Sequence, residues 1–217
     1  AKKYAVGATH LVLDLPVGPE AKIKNLKEAK KVFQNFKSIG KMLGIKMVGV
    51  ATNAYQPLGT TIGPAIEAKE VLEILMNRRR VADVVEKATF IAASLLVLTK
   101  RERSVEKAKK LATEVLENGQ AERKMREIIE AQGGDKKVVP ENIKLEKYKV
   151  QFKSKNEGYV SFIHNSHLVR LGRIAGAPFD KGAGIKLYKK LGDYVNKKEV
   201  LFEVYTNKSK INDAVSY

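Results

Sequence analysis

The sequence predicts an α/β fold, a parallel sheet with flanking helices, followed by an α+β carboxyl-terminal region. Three observations carry that expectation. His10 to Leu15 (HLVLDL) and Ile45 to Thr52 (IKMVGVAT) are short apolar runs bounded by turn residues. One amphipathic helical pattern lies between them, and a strand, a helix and a second strand in such a span make a βαβ unit with parallel strands. Beyond Pro140 the apolar period shortens to two, with Asn and Gly turns between the runs.

The first strand stops at Pro16 and Gly18, and Lys22 and Lys24 stand in the loop behind it. Asn25 followed by Glu28 has the spacing of a capping box. Leu26, Ala29, Phe33, Phe36 and Leu43 lie on one helical stripe, which Gly44 ends. Ligands of parallel sheets bind outside the carboxyl ends of the strands, so the 16–24 and 53–63 loops are the positional candidates for a site. Gly63 and Pro64 open a second helix, with proline where its missing N–H does no harm. Ala68, Val71, Leu72, Leu75 and Met76 form its apolar side, and Asn77 to Arg80 read as an exposed corner.

Helical patterns continue over 84–98, 104–116 and 121–131, stopped in turn by Asn118-Gly119 and by Gln132-Gly-Gly-Asp135. Tyr148 to Phe152 and Tyr159 to Ile163 then read as two strands around an Asn156–Gly158 turn. Asn165 is the expected cap of a helix through Leu168, Leu171 and Ile174, ended by Gly176 and Pro178. Two or three strands follow, separated by Gly192 and the Asn196–Lys198 turn. The change of pattern places a boundary near 133–145.

The 217 residues suffice for one large or two small cores, and 44% hydrophobic content is ordinary. No apolar run approaches the roughly 20 residues of a membrane helix, and no leader precedes the first strand. The expectation is a soluble, cytoplasmic chain with no membrane partner. Without cysteine there are no disulfides and no thiolate ligands or nucleophiles. The net charge of +17 is divided almost evenly, +8 before Lys136 and +9 from it onward. Nucleic-acid binders concentrate such charge on one face, often with aromatic platforms. Here aromatics make up 7% and tryptophan is absent, so a lysine-rich solvated surface that attracts small anions fits better. His10, His164 and His167 offer only one weak ligand spacing, and no phosphate loop, nucleophile elbow or HExxH pair occurs.

Four separated blocks in fixed order nevertheless point to a family. AKKYAVGATHLVLDLPVG, QPLGTTIGPAIEAKEVLEIL, MREIIEAQGGD and AGAPFDKGAGIKLYKKLGDYV together resemble the thymidine/pyrimidine-nucleoside phosphorylases, over nearly the whole chain. Within that family, Gly18-Pro-Glu-Ala-Lys22 is similar to the VGKGAK segment, and Ile62 to Ala68 to the IGPALEA segment, of the archaeal AMP phosphorylase subgroup. Pyrimidine-nucleoside members usually carry an aromatic residue or Met where this chain has Lys22.

The resemblance implies pentosyl transfer: phosphorolysis of AMP or other nucleoside 5′-monophosphates to a free base and ribose 1,5-bisphosphate, with phosphate as co-substrate. Thymidine or uridine phosphorolysis is the alternative, and a noncatalytic, basic nucleic-acid-binding derivative of the fold is the second. It implies residues 1–8 as the end of a small helical domain, 9–135 as an incomplete phosphorylase α/β domain, and 136–217 as an α+β domain with a sandwich or hammerhead-like sheet. It assigns Lys22 to the nucleotide and Lys2, the tail of an SxxSKK motif, to the base. A donor there would stabilise charge building on the leaving group. It also implies a monovalent cation held by Leu58, Thr61 and Glu70, of which Thr61, commonly alanine in the family, would supply only its carbonyl.

Two segments depart from the family pattern. Thr52-Asn-Ala-Tyr-Gln-Pro57 stands in place of TDGSQP, and Phe179 in place of a usual lysine. The Lys-His-Ser segment, the Ser/Thr-rich phosphate loop and the general acid have no counterpart in these 217 residues. The chain is therefore expected to hold no catalytic residue, to be inactive alone, and to act with an amino-terminal portion in a homodimer or larger oligomer. The GDYVNKKEVLFEVY segment is similar to biotinyl/lipoyl-type strands. It lacks the methionines that flank a modified lysine, so shared strand geometry is the expectation there, and no organic cofactor is implied.

Overall fold

A computed structural model describes residues 2–207 and 210–216; Ala1, Lys208, Ser209 and Tyr217 lie outside the described residues. The elements begin with α1 (Lys2–Ala5), β1 (His10–Val17), α2 (Leu26–Met42), β2 (Lys46–Asn53), β3 (Thr61–Ile62) and α3 (Pro64–Leu75). Helices α4 (Ala82–Leu98), α5 (Val105–Glu117) and α6 (Gln120–Ala131) follow, then a 3₁₀ turn at Pro140–Asn142. The rest is β4 (Tyr148–Lys153), β5 (Gly158–Tyr159), α7 (Asn165–Ala175), β6 (Gly184–Leu187), β7 (Tyr194–Val195), β8 (Val200–Thr206) and α8 (Ile211–Ser216). The fold is mixed α/β, with one parallel pair and separate antiparallel sheets.

The chain divides into two compact units, each discontinuous in sequence: Ala1–Tyr55 with Ala82–Asn118, and Gln56–Val81 with Gly119–Tyr217. In the first unit β1 and β2 run parallel in register from His10 opposite Lys46 to Val17 opposite Asn53, as the βαβ pattern predicts. Asn25 caps α2, its Oδ1 accepting the Glu28 N–H at 2.9 Å. The reciprocal bond shifts by one residue: Glu28 Oε2 accepts the N–H of Lys24 at 2.8 Å. Ala29 is buried, whereas Leu26, Phe36 and Leu43 on the same stripe are exposed. Helix α4 packs on both strands and pairs with α5.

The second unit holds a four-stranded sheet in the order β3-β6-β8-β4, antiparallel throughout. The expected hairpin between 148–152 and 159–163 does not form. β4 pairs with β8, and only Gly158 and Tyr159 of the second run are strand, paired with β7. The run alternates as a strand does, but β7 offers only Tyr194 and Val195 to pair with it. His164, not Asn165, occupies the cap position of α7. Leu168, Leu171 and Ala175 of this helix pack on Ile185, Leu187 and Val204 to form the core. The change of pattern near 133–145 falls inside this unit.

Glu203 of β8 is a buried carboxylate in this sheet. Its oxygens accept from Gln151 Nε2 at 2.7 Å, the Tyr188 hydroxyl at 2.8 Å and the Tyr205 hydroxyl at 3.3 Å. Burial alone would raise its pKa, but those donors together hold it below the usual value. Burial and the hydrogen bond to Glu203 push the Tyr188 phenol from 10.0 up to about 12. A phenol raised in the folded state supports the fold below pH 10.0 and loses that contribution as the pH climbs toward about 12. Phenolate absorbance is accordingly expected to show late titration, to which Tyr205, also raised by burial and the Glu203 charge, contributes, and Tyr188→Phe to remove the part near pH 12. An unchanged late step in the variant would refute the assignment.

Candidate functional site

The carboxyl ends of β1 and β2 bring the 18–24 and 53–55 loops together. Val17 O accepts the Ala54 N–H at 2.9 Å, and the Gly18 N–H donates to Ile23 O at 3.1 Å. Gly18 is glycine because of space: a Cβ there would stand 2.4 Å from Ala54 O. Gly18→Ala is therefore expected to drive the two loops apart and to lower the unfolding midpoint by a few degrees, the ordinary effect of about 1–3 kcal/mol of overpacking. Calorimetry of the variant checks it, and an unaltered midpoint would show that the backbones can separate freely. Beyond Ala54, Asn53 Oδ1 accepts the Tyr55 N–H at 2.8 Å and shapes the second loop.

An open cleft of about 810 Å³ lies at these strand ends, lined by Val17, Lys24, Lys27, Thr52, Asn53 and Tyr55 among others. Lys22 is exposed on the neighbouring loop; its ammonium has no protein partner among the described residues, and it does not line this cleft. Lys24 does line it, with its ammonium tied to Pro19 O at 2.8 Å. Lys2 is exposed on the four-residue α1 and is not part of the lining. Tyr55, which stands among the residues that depart from the family pattern, is half-exposed on the cleft wall.

Asp14 and Lys87 form a contact below the cleft that sequence reasoning missed, and neither lines the cleft. Asp14 Oδ1 accepts the Thr52 hydroxyl at 2.6 Å, and Oδ2 stands 2.7 Å from Lys87 Nζ. These contacts fasten β1, β2 and α4 to one another just below the strand ends. The available signal was the single carboxylate inside HLVLDL, a charge that an otherwise apolar strand tolerates only with a partner.

In the second unit, Leu58 is exposed, while Thr61 and Glu70 are buried. Glu70 gathers the loop ahead of β3. It accepts the Thr60 N–H at 3.3 and 3.2 Å, the Thr60 hydroxyl, and the Thr61 hydroxyl at 3.2 Å. Arg79 Nη1 stands 3.3 Å from its Oε1. On the other side of the loop, Lys190 Nζ donates to Pro57 O and Gly59 O, both at 2.5 Å. Elsewhere in this unit a cavity of about 340 Å³ is walled by Phe152, Phe162, Phe202 and Leu168, with His164 and His167 stacked 4.8 Å apart on its lining. No group of three His, Cys, Asp or Glu side chains able to hold a metal occurs among the described residues. No helix of the described residues is long and apolar enough to cross a membrane.

Residues 159–216 match the pyrimidine nucleoside phosphorylase C-terminal domain. The chain is 47% identical to an AMP phosphorylase of Thermofilum pendens over 209 residues, which cover 96% of this chain and 40% of that protein. It is 41% identical to an AMP phosphorylase of Pyrococcus furiosus over 216 residues, 99% of this chain and 43% of the relative. A Methanosarcina acetivorans AMP phosphorylase is 35% identical over 211 residues, 96% and 41% respectively. The chain thus spans about two-fifths of the length of these curated relatives.

Proposed function

Since the chain belongs to the thymidine/pyrimidine-nucleoside phosphorylase family, aligning with the carboxyl-terminal part of its relatives, we propose that it forms part of an AMP phosphorylase. In that reaction an oxygen of inorganic phosphate attacks C1′ of the ribose. The C1′–N bond breaks, and the base leaves with the bonding electrons and takes up a proton. AMP thereby gives adenine and ribose 1,5-bisphosphate. The observation that carries the reading is the similarity to AMP phosphorylases over 96–99% of the chain. In its support, a cleft with two lysines lies at the strand ends of the first unit, where parallel sheets take their ligands. Its phosphate-binding groups and general acid would come from an amino-terminal portion with which this chain acts, in a dimer or larger oligomer.

The same reading makes β1 and β2 the border of a larger parallel sheet, and the β3-β6-β8-β4 layer the hammerhead-like sheet of the carboxyl-terminal domain. Supporting the first of these, β1 and β2 pair with no other strand among the described residues, a lone bridge from Val17 to Ile23 apart. Apolar side chains of α2, including Leu26, Ile39 and Met42, are exposed.

The test is the whole protein that carries this chain, assayed in inorganic phosphate with AMP and with uridine in parallel. Release of adenine from AMP, with little uracil from uridine, is expected. Uracil from uridine with no adenine from AMP would replace the reading with nucleoside phosphorolysis. The 217-residue chain assayed alone is expected to release neither base, because positioning phosphate supplies much of the rate in such a displacement.

A further inference from the structure

Glu70 is 5% exposed, and a carboxylate so buried needs positive charge or donors close by. A bound monovalent cation is one source, and the chain's own side chains are the other. Arg79 bridges the site: Nη1 is 3.3 Å from Glu70 Oε1, and Nη2 donates to Thr60 Oγ1 at 2.7 Å. The Thr60 hydroxyl passes its own hydrogen to Glu70. Two carboxylate oxygens offer about four acceptor positions. Arg79, the Thr60 N–H and hydroxyl, and the Thr61 hydroxyl engage them.

The space left over points the same way. A cavity of about 120 Å³ beside Glu70 is walled by Lys69, Arg79 and Lys186 against only two carboxylates, Glu70 and Glu73. An ion entering it meets a surplus of positive charge. On the other face of the loop, the carbonyls on either side of Leu58 are taken by the Lys190 ammonium. The Leu187 N–H holds Thr60 O at 2.7 Å. The Glu70 carboxylate and the carbonyls of Pro57, Gly59 and Thr60 are thus already served by cationic, hydroxyl and N–H donors of the chain.

We propose that Arg79 and Lys190 are the resident cations of the 56–61 loop, holding Glu70 and the flanking carbonyls so that the protein needs no bound monovalent cation there. This holds whichever substrate the protein takes. Thermal unfolding of the 217-residue chain, followed by circular dichroism at one ionic strength, tests it in potassium chloride and in tetramethylammonium chloride. The latter cation is too large for a carbonyl cage. The wild-type midpoint is expected to agree between the two salts to within about 1 °C. Arg79→Met is expected to melt about 4 °C lower or more, since it strips a buried carboxylate of its charge partner, and to regain part of the loss in potassium. A wild-type midpoint that climbs and saturates with potassium overturns the proposal, as does an Arg79→Met variant that melts with the wild type. If Arg79→Met does not fold, calorimetric titration of the wild type with potassium chloride decides: saturable heat overturns the proposal, and its absence upholds it.

Discussion

Replacing Glu70 by alanine is expected to lower the midpoint of the transition that unfolds the second unit by roughly 6–12 °C, about 3 kcal/mol at the 2–4 °C per kcal/mol typical of a chain this long. The carboxylate is buried and serves four donors from three residues, Thr60, Thr61 and Arg79. Removing it leaves the Thr61 hydroxyl and the Thr60 N–H without their acceptor, and the guanidinium without its counter-charge. Breaking a fully buried pair costs about 3–5 kcal/mol. The lower end applies because the Arg79 side chain is 33% exposed and water can recover part of its solvation. Glu70→Gln should fall between wild type and Glu70→Ala, since the amide keeps one acceptor oxygen but no charge. Calorimetry of both variants gives the measurement. A Glu70→Ala midpoint within about 2 °C of wild type would mean that the loop is held mainly from its Lys190 side.

Lys22→Met in the whole protein is expected, on the proposed reading, to raise the KM for AMP about ten- to a hundredfold while leaving uridine or adenosine turnover within about twofold. A charge-assisted contact to a phosphate has that magnitude, and a nucleoside has no phosphate to lose. Methionine keeps the length of the side chain and removes its charge. Lys24→Met is the internal comparison. Its ammonium is committed to Pro19 O although it lines the cleft, so its loss should disturb the loop and affect nucleotide and nucleoside alike. Equal losses for AMP and for nucleosides in the Lys22 variant would remove that residue from nucleotide recognition. A loss confined to AMP in the Lys24 variant would transfer the role to Lys24.

The parallel pair was legible because local signals agreed: the Asn25 cap, the stripe on α2 and the apolar runs on either side all describe one βαβ unit. β3 was not, because two residues carry no periodicity, and what recruits them is β6 more than a hundred positions later. The 159–163 run reads as a strand, but only Tyr159 of it pairs as one, because its partner β7, after α7, is itself two residues long. Lys2, Lys22, Leu58, Thr61 and Glu70 could be named from the family resemblance; Lys2 and Lys22 do not line the cleft, and Thr61 and Glu70 meet in the second unit. Arg79 read only as part of an exposed Arg-rich corner, yet the turn at Asn77, with φ of 55°, precedes the reach of its guanidinium back to Thr60. Asp14 and Lys87 stand 73 positions apart, and no helical or strand period links such residues. Pairings made by the tertiary fold leave no pattern along the chain, only an isolated charge where an apolar residue belongs.

The main chain passes from one compact unit to the other after Tyr55, Val81 and Asn118. Neither unit can therefore be dissected out as one uninterrupted polypeptide. A fragment ending at Tyr55 would lack Lys87 to neutralise Asp14, and a fragment starting at Gly119 would lack the β3 strand that borders β6. Ribosomal synthesis meets the same constraint: the second unit cannot close until its last strands have emerged, long after the residues of β3 were made.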